Sequence, residues 1–447
     1  ITHTSIELKA EQELFKKIKA KILKSKGPHI GVVLAGSVAR NTHLRGDKDL
    51  DIFVFYPTTL TREKFEKSGL VLAHSIFGNH FHEEAYSEHP YVRGVIDGFD
   101  VEIVPTYKVN KAIEKLSAVD RTPFHAEYMR KHLSEIQQRD VRLLKQFLKG
   151  IEVYGADVKM QGVPGYLVEI LILHYGDFIA ALENIANWRT PAIVDQAKQY
   201  ENPNHVKALF PNSFLVVIDP TDKTRNVAAA LSQNQFGRMM AAARSFLKSP
   251  REKFFFAHEE SPVSLSEIRS RLKKEELLGV HFPYPRGMLE DVAWGQIQRL
   301  GKKLVHVVEE HDFCIRRHWV WTDGKKECVL ILDVENPTLQ PTELRIGPPI
   351  MDQSSCERFL SVHKKPVSGP RIENGRLVVI EKRKIFTIQS ALNIEWKKIV
   401  QNEAKELKPF LSKGSLISEN ALISLSKKNK EFARGFGNFL VGKDWFL

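Results

Sequence analysis

The sequence predicts a multidomain α+β protein, and three observations carry that expectation. At 447 residues the chain is long enough for about three domains of roughly 150 residues each. Residues 36–56, GSVARNTHLRGDKDLDIFVFY, follow one apolar run (30–34) and end in another (52–56), the pattern of two strands joined by a structured turn. Beyond Phe254 short apolar strands alternate with longer helical periods in a new order, a second module with its own sheet.

Taken in order, residues 1–26 predict a helix with Leu14, Phe15, Ile18 and Ile22 at helical spacing, ended by Gly27-Pro28 and backing the sheet that follows. A helix is expected over 61–68. His80-Phe81-His82-Glu83 reads as a strand with exposed polar residues, because no second cluster stands at metal-ligand spacing. Residues 117–125 begin a helical region, in which 139–148 is amphipathic with Leu144, Phe147 and Leu148 inward. Pro164-Gly165-Tyr166 starts an apolar helix over 167–182. A strand is expected over 214–218, a turn at Asp219-Pro220-Thr221-Asp222, and a helix opening at Arg225-Asn226-Val227-Ala228. The last third reads as a strand at 280–282, a helix at 289–310, a hairpin of 315–322 and 327–334 across Asp323-Gly324, a helix at 355–362 and a strand at 377–381. That β-α-β-β-α-β order suits a ferredoxin-like sheet. RNA-recognition modules share the topology, but no RNP-type aromatic motif is present. Tail helices are expected at 396–410 and 420–440.

Composition narrows the function classes. Lys+Arg 66 against Asp+Glu 54 gives a net charge of +12, a balance that favours a polyanionic partner. Three cysteines without a CxxC predict reduced thiols and a cytoplasmic protein. No apolar run approaches the ~18 residues of a membrane span, and no signal peptide is visible at the N-terminus.

The chemistry concentrates in 36–56. Gly36-Ser37 sits where a strand passes into a short helix, so its backbone N–H groups suit a phosphate, and Arg40 offers a fork of donors to the same group. Asp49 and Asp51 lie two apart on the next strand and leave it on one face. Paired carboxylates of that kind suit Mg²⁺, which takes substrate phosphates as further ligands. A lone DxD is a weak signal; on a turn between strands, with GS-x-A-R upstream, it is a strong one. A later strand, 98–105, carries Asp100 and Glu102 on one face, and position alone does not choose between them.

The series hG[GS], [DE]h[DE]h and a third acid on a later strand resembles the DNA polymerase beta-like nucleotidyltransferase superfamily. The longer stretches SEHPYVRGVIDGFDVEIVPTYKV (87–109), SAVDRTPFH (117–125), VRLLKQFLK (141–149) and VYGA (153–156) resemble archaeal, class I, CCA-adding enzymes. That likeness runs from about 36 to 232 and more weakly to the C-terminus. It implies a polymerase-beta-like nucleotidyltransferase head (1–136), a helical central neck (137–256), and a ferredoxin-like, tRNA-binding body with a helical tail (257–447). It implies addition of C, C and A to the tRNA 3′ end from CTP and ATP, without a nucleic-acid template, with two Mg²⁺ ions on Asp49, Asp51 and Glu102. Asp stands at 49 where archaeal relatives often have Glu, and Glu at 102 where Asp is usual, each a one-methylene change in reach.

Other roles come from the same resemblance. Gly36, Ser37, Arg40 and Lys145 hold phosphates, with Tyr154 as the partner of Lys145. Thr122 and His125 lie near the triphosphate and incoming sugar, Arg225 faces the base, and Asn226 supports it. Lys364, Lys365, Lys382, Arg383 and Lys384 supply charge for an RNA backbone. The resemblance also suggests archaeal origin and admits a homodimer. The competing readings are a poly(A) or terminal uridylyl transferase, which shares GS and DxD, and an RNA-binding protein with a degenerate core, against which all three acidic positions speak. A small-molecule nucleotidylyltransferase fits the basic C-terminal half poorly.

Overall fold

The computed structural model describes residues 1–256, 263–273, 276–288 and 290–447. The chain forms two compact units, Ile1–Glu260 with Asp444–Leu447, and Ser261–Lys443. The architecture is mixed α+β. The expected boundary at 257 lies outside the described residues.

The first unit opens with the helix Ser5–Lys24, started by a capping box between Thr4 and Glu7. Five strands follow: β1 (Gly31–Leu34), β2 (Asp49–Tyr56), β3 (His82–Tyr86), β4 (Pro90–Ile96) and β5 (Phe99–Tyr107), in the order β1-β2-β5-β4-β3. Only β2 and β5 pair in parallel. Alternation along β2 and β5 buries Leu50, Ile52, Val54, Val101 and Ile103 against Leu14, Ile18 and Ile22 of the first helix and Phe65, Leu72 and Ile76 of the helix Arg62–Phe77. That second helix outruns the expected 61–68, because Leu72, Ala73, Ile76 and Phe77 extend its apolar face. At the strand predicted near 80–83, His82 Nε2 lies 3.0 Å from His74 Nδ1, and His74 Nε2 lies 2.9 Å from Glu84.

The rest of the first unit is mostly helical. Glu135–Gly150 buries Val141, Leu144, Phe147 and Leu148. Phe147 lies within about 6 Å of Phe178, Phe246, Phe254 and Phe255 by ring centroid. Two expectations are corrected here. The helix expected over 167–182 is broken at Gly176, whose φ of +103° is open to glycine; the pieces Gly165–Tyr175 and Phe178–Asn187 meet at 97°. Arg225 and Asn226 end a strand and open no helix. A small sheet joins β6 (Ala192–Val194), β7 (Leu215–Asp219) and β8 (Asp222–Asn226), and the next long helix starts only at Gln233. Asp219 and Asp222 accept from the backbone N–H and hydroxyl of Thr221 and Thr224 respectively, and so shape the expected turn into a hairpin between β7 and β8. Among the described residues no single helix is long and apolar enough to cross a membrane.

In the second unit β9 (Leu277–Pro283), β10 (Ile315–Thr322), β11 (Glu327–Val334), β12 (Thr342–Pro349), β13 (Ser368–Glu373), β14 (Arg376–Lys382) and β15 (Ser415–Leu416) make two sheets. The larger, β10-β11-β9-β15, is antiparallel throughout. With the helices Glu290–Glu309 and Ile388–Asn402 it has the β-α-β-β-α-β order of a ferredoxin-like sheet. The expected helix 355–362 and strand 377–381 do not complete it. They belong to an insertion, β12, the helix Gln353–Val362, β13 and β14, with its own three-stranded sheet β12-β14-β13. The true closing strand, β15, has two residues, too few to show alternation in sequence. The expected tail helix 396–410 begins at Ile388 and ends at Asn402, and the one at 420–440 is divided at Asn429, which caps the second piece. Leu289, expected to start the helix before β10, lies outside the described residues.

Removing the Phe147 ring leaves a cavity in a fully buried cluster. Phe147→Ala is expected to destabilise the first unit by about 3–5 kcal/mol, read as a lower denaturant midpoint. A loss below about 1 kcal/mol would show that the site collapses or that the ring is dispensable.

Candidate active site

The parallel pairing of β2 with β5 sets Asp49 beside Asp100 and Asp51 beside Glu102. Paired residues on neighbouring strands share a face, so all four acids leave the side of the sheet opposite the apolar core. Asp49 and Asp100, at the strand starts, are exposed, whereas Asp51 and Glu102 are half-buried. The register thus distinguishes the two acids of β5: Glu102 is the one beside Asp51. Burial, then Asp51, push Glu102 up to about 7; burial also pushes Asp51 to about 6 despite the nearby Arg40. Asp49 is raised too, by burial and by Asp47 and Asp100. One oxygen from each of the three predicted ligands does not bring all three within 4.8 Å. They are nevertheless a hard, all-oxygen donor set whose desolvation and mutual repulsion a divalent cation relieves, so the residues present fit such an ion.

Gly36 stands directly against this face. Its φ is +66°, and a Cβ there would overlap Oδ2 of Asp51. Ala35 N–H also donates to the Asp51 carbonyl at 2.9 Å. The short helix after β1 forms, but it begins at Gly36 itself (Gly36–Ala39) and not after the Gly-Ser pair, with Ser37 half-buried on it.

Behind that turn lies a buried carboxylate the sequence reading passed over. Glu169, in Gly165–Tyr175, is fully buried and pairs with Arg40 at 2.7 Å. Thr42 Oγ1 donates to the same carboxylate, and Lys145 Nζ stands 3.9 Å from it while donating to the Thr42 carbonyl at 2.8 Å. Burial lowers Lys145 to about 8. Arg40 and Lys145 are therefore brought together, both buried, on Glu169. Arg142 donates to the Asn41 carbonyl and Lys149 to Asp47 at 3.2 Å, so one helix face grips the whole segment between Gly36–Ala39 and β2. Tyr154 is near the same place, with the Lys149 ammonium 5.6 Å from its ring centre. A charge inside the apolar run LVEILI was the available signal for Glu169.

A second buried acid, Asp219 at the end of β7, gathers the predicted sugar- and base-side residues. His125 Nε2–H donates to it at 2.8 Å, Arg225 pairs with it at 3.0 Å, and Tyr166 O–H donates at 3.2 Å. The His125 and Tyr166 rings stack 4.1 Å apart. Burial holds His125 below its ordinary value. Burial alone would raise Asp219, but the bonds from His125 and Thr221 outweigh it and hold it ionised. Thr122 is half-buried at the start of the helix that carries His125. Beside this hub opens a cleft of about 560 Å³, lined among others by Lys115, Arg121, Thr224, Arg225 and Asn226. Lys115 and Arg121, both missed from sequence, hold Asp222 at 2.8 and 3.4 Å. Asn226 is tied to backbone: its Oδ1 accepts from Val217 and Ala228, and its Nδ2 donates to Leu215.

In the second unit Lys364, Lys365, Lys382 and Lys384 are exposed. Arg383 is largely buried and ion-paired to Asp312 and to Glu343, the latter at 3.1 Å.

Three family models match the chain: a nucleotidyltransferase domain over residues 16–143, the second domain of tRNA nucleotidyltransferases over 139–256, and the C-terminal domain of CCA-adding enzymes over 274–419. The acids of β2 and β5 fall in the first of these, and fold and site together define a nucleotidyltransferase. A CCA-adding enzyme of Methanosarcina acetivorans is 35% identical over 418 residues, 92% of this chain and 89% of that protein. One from Halobacterium salinarum is 38% identical over 355 residues, 78% of this chain and 76% of its own. The chain belongs to the CCA-adding enzyme family. A solved cytoplasmic RNA terminal U-transferase aligns at 13% identity with a TM-score of 0.45, over 59% of this chain and 96% of its own, a likeness too slight to bear on fold or activity.

The raised acids have a consequence for stability. A carboxyl whose folded value exceeds its unfolded one stabilises the fold below the ordinary carboxylate range and loses that contribution as pH rises through the folded value. For Asp51 and Glu102 the loss falls between the usual carboxylate range and about 7. In chelator, Glu102→Gln is therefore expected to raise the thermal midpoint over the parent near pH 8 and to leave it unchanged near pH 4. An equal shift at both would refute the assignment.

Proposed function

We propose that the chain adds C, C and A to the 3′ end of tRNA from CTP and ATP. Membership of the CCA-adding enzymes supports the reaction. The observation that carries the site is Asp51 and Glu102 side by side across the parallel β2–β5 pair, with Gly36 against Asp51. Asp49, Asp51 and Glu102 are our metal ligands. These three would hold divalent cations, two Mg²⁺ in this reading, which would supply Lewis-acid activation of a hydroxyl and neutralise phosphate charge. The attacking group is the 3′-hydroxyl of the RNA, so no side chain serves as nucleophile. The backbone of Gly36 and Ser37 approaches the β and γ phosphates, which the absence of a Cβ at 36 permits. Arg40 and Lys145 add positive charge from behind that turn while Glu169 holds them, and Tyr154 packs beside them. Thr122 and His125 position the sugar and triphosphate. Arg225, fastened by Asp219, faces the base, and Asn226 keeps the β7–β8 hairpin in shape beneath it.

The same reading divides the chain into a catalytic head (1–136), a nucleotide-binding neck (137–256) and a tRNA-binding body and tail (257–447), in a cytoplasmic protein. Lys364, Lys365, Lys382 and Lys384 meet the RNA backbone, and Arg383 shapes that surface through its ion pairs.

With Mg²⁺, labelled CTP or ATP, and tRNA lacking its 3′ end, the product is expected to stop after three nucleotides; a long homopolymer would favour a poly(A) or uridylyl transferase. Asp51→Ala is expected to abolish incorporation with little change in tRNA affinity, and normal turnover would overturn the metal assignment. Arg225→Ala is expected to blur the choice of C against A on tRNA ending at the discriminator base. An unchanged ratio of single CTP to ATP incorporation would remove Arg225 from base selection.

A further inference from the structure

We propose that His3, Glu11 and His43 form a site for a divalent transition ion of the zinc type, separate from the acids of β2 and β5. The three come from distant places in sequence. His3 precedes the helix Ser5–Lys24, Glu11 lies within that helix, and His43 belongs to the segment leading to β2. One ligand atom of each lies within 4.8 Å of the other two, and among the described residues no other trio of His, Cys, Asp or Glu is so gathered. Two imidazoles and a carboxylate are a familiar zinc donor set, with a fourth position left for water.

The polar atoms of this cluster are poorly served by the protein itself. Glu11 and His43 are buried and His3 half-buried. His43 Nε2 lies 3.1 Å from Glu11 Oε1. His3 Nδ1 is buried without a hydrogen bond, and the other side of the His43 ring meets the Ser37 backbone. His3 Nε2 lies 3.1 Å from the Leu44 carbonyl, an acceptor, so Nε2 carries the proton and Nδ1 keeps a bare lone pair. A histidine held from its far nitrogen by a carbonyl is the usual outer-shell arrangement of a metal ligand. The two rings stack 3.7 Å apart.

The charges agree with that reading. Two imidazoles beside one buried carboxylate give the cluster a single negative charge, on Glu11 when it is ionised. The carboxylate of Glu11 is what makes the place attractive to a positive ion. An ion bound there fastens the N-terminal arm and first helix to the segment between Gly36–Ala39 and β2, the segment that ends in Asp49 and Asp51.

The test uses the full chain carrying Asp51→Asn, which weakens competing binding at β2, stripped with chelator and titrated with ZnCl₂ by calorimetry. One tightly bound equivalent is expected, with a rise in thermal midpoint that MgCl₂ does not produce. Co²⁺ in its place is expected to show the visible absorption of a four-coordinate site. His3→Gln and Glu11→Gln should each weaken Zn²⁺ binding at least about tenfold, since losing a ligand exceeds the loss of an outer-shell partner. His3 lies outside every helix and strand, so His3→Gln leaves the fold in place and reads the site alone. Absence of the bound equivalent, or unchanged affinity in both variants, overturns the proposal.

Discussion

A carboxylate with no access to water holds the catalytic segment in place. Glu169 projects from an apolar helix and is neutralised by Arg40, with Thr42 and Lys145 completing its surroundings. Removing Arg40 would deprive the buried Glu169 charge of its close partner, which is far more costly than the pair is stabilising. The consequence is rigidity where chemistry needs it. The turn at Gly36 and the entry to β2 are pinned from behind by side chains of the helix Glu135–Gly150, and the acids in front keep a fixed relation to the Gly36 backbone.

The face in front is built on the opposite principle. Asp49, Asp51 and Glu102 are held next to one another where burial and repulsion both disfavour their charged forms. Such an arrangement weakens the unliganded fold, and a divalent cation held there would relieve it. The apolar residues between the acids, Leu50 and Val101, are fully buried on the other side of the sheet and supply the offsetting stabilisation. One strand periodicity thus serves core and site together.

Asp219 repeats the logic of Glu169 at the end of β7. It orients His125, Tyr166 and Arg225 at once, so three side chains from separate elements share one buried anchor and their placement is coupled. The second unit shows how an insertion is tolerated. The sheet β10-β11-β9-β15 closes across an intervening three-stranded subdomain because the edge of β9 accepts a two-residue strand from far along the chain, and the helix Ile388–Asn402 covers the same core as Glu290–Glu309.

Much of the site was legible in residues. Alternation assigned Asp49 and Asp51 to one face, and the apolar run before Gly36-Ser37 marked a strand passing into a short helix, because both depend only on neighbours along one or two elements. Glu169, Asp219 and the Lys115–Arg121–Asp222 group were not, because their meaning lies in partners some fifty to more than a hundred residues away. The misreadings at Gly176 and Arg225 have a related origin: helical spacing and cap-like residues are local signals, and the bend and the hairpin are settled by what the chain must pack against. The sequence by itself determined which strands carry the acids, since a two-residue period is a property of the strand. Only the tertiary structure decided that Glu102 lies beside Asp51, where the segment between them is anchored, and which strand closes the second sheet, since register and burial are set by surfaces that meet only after folding.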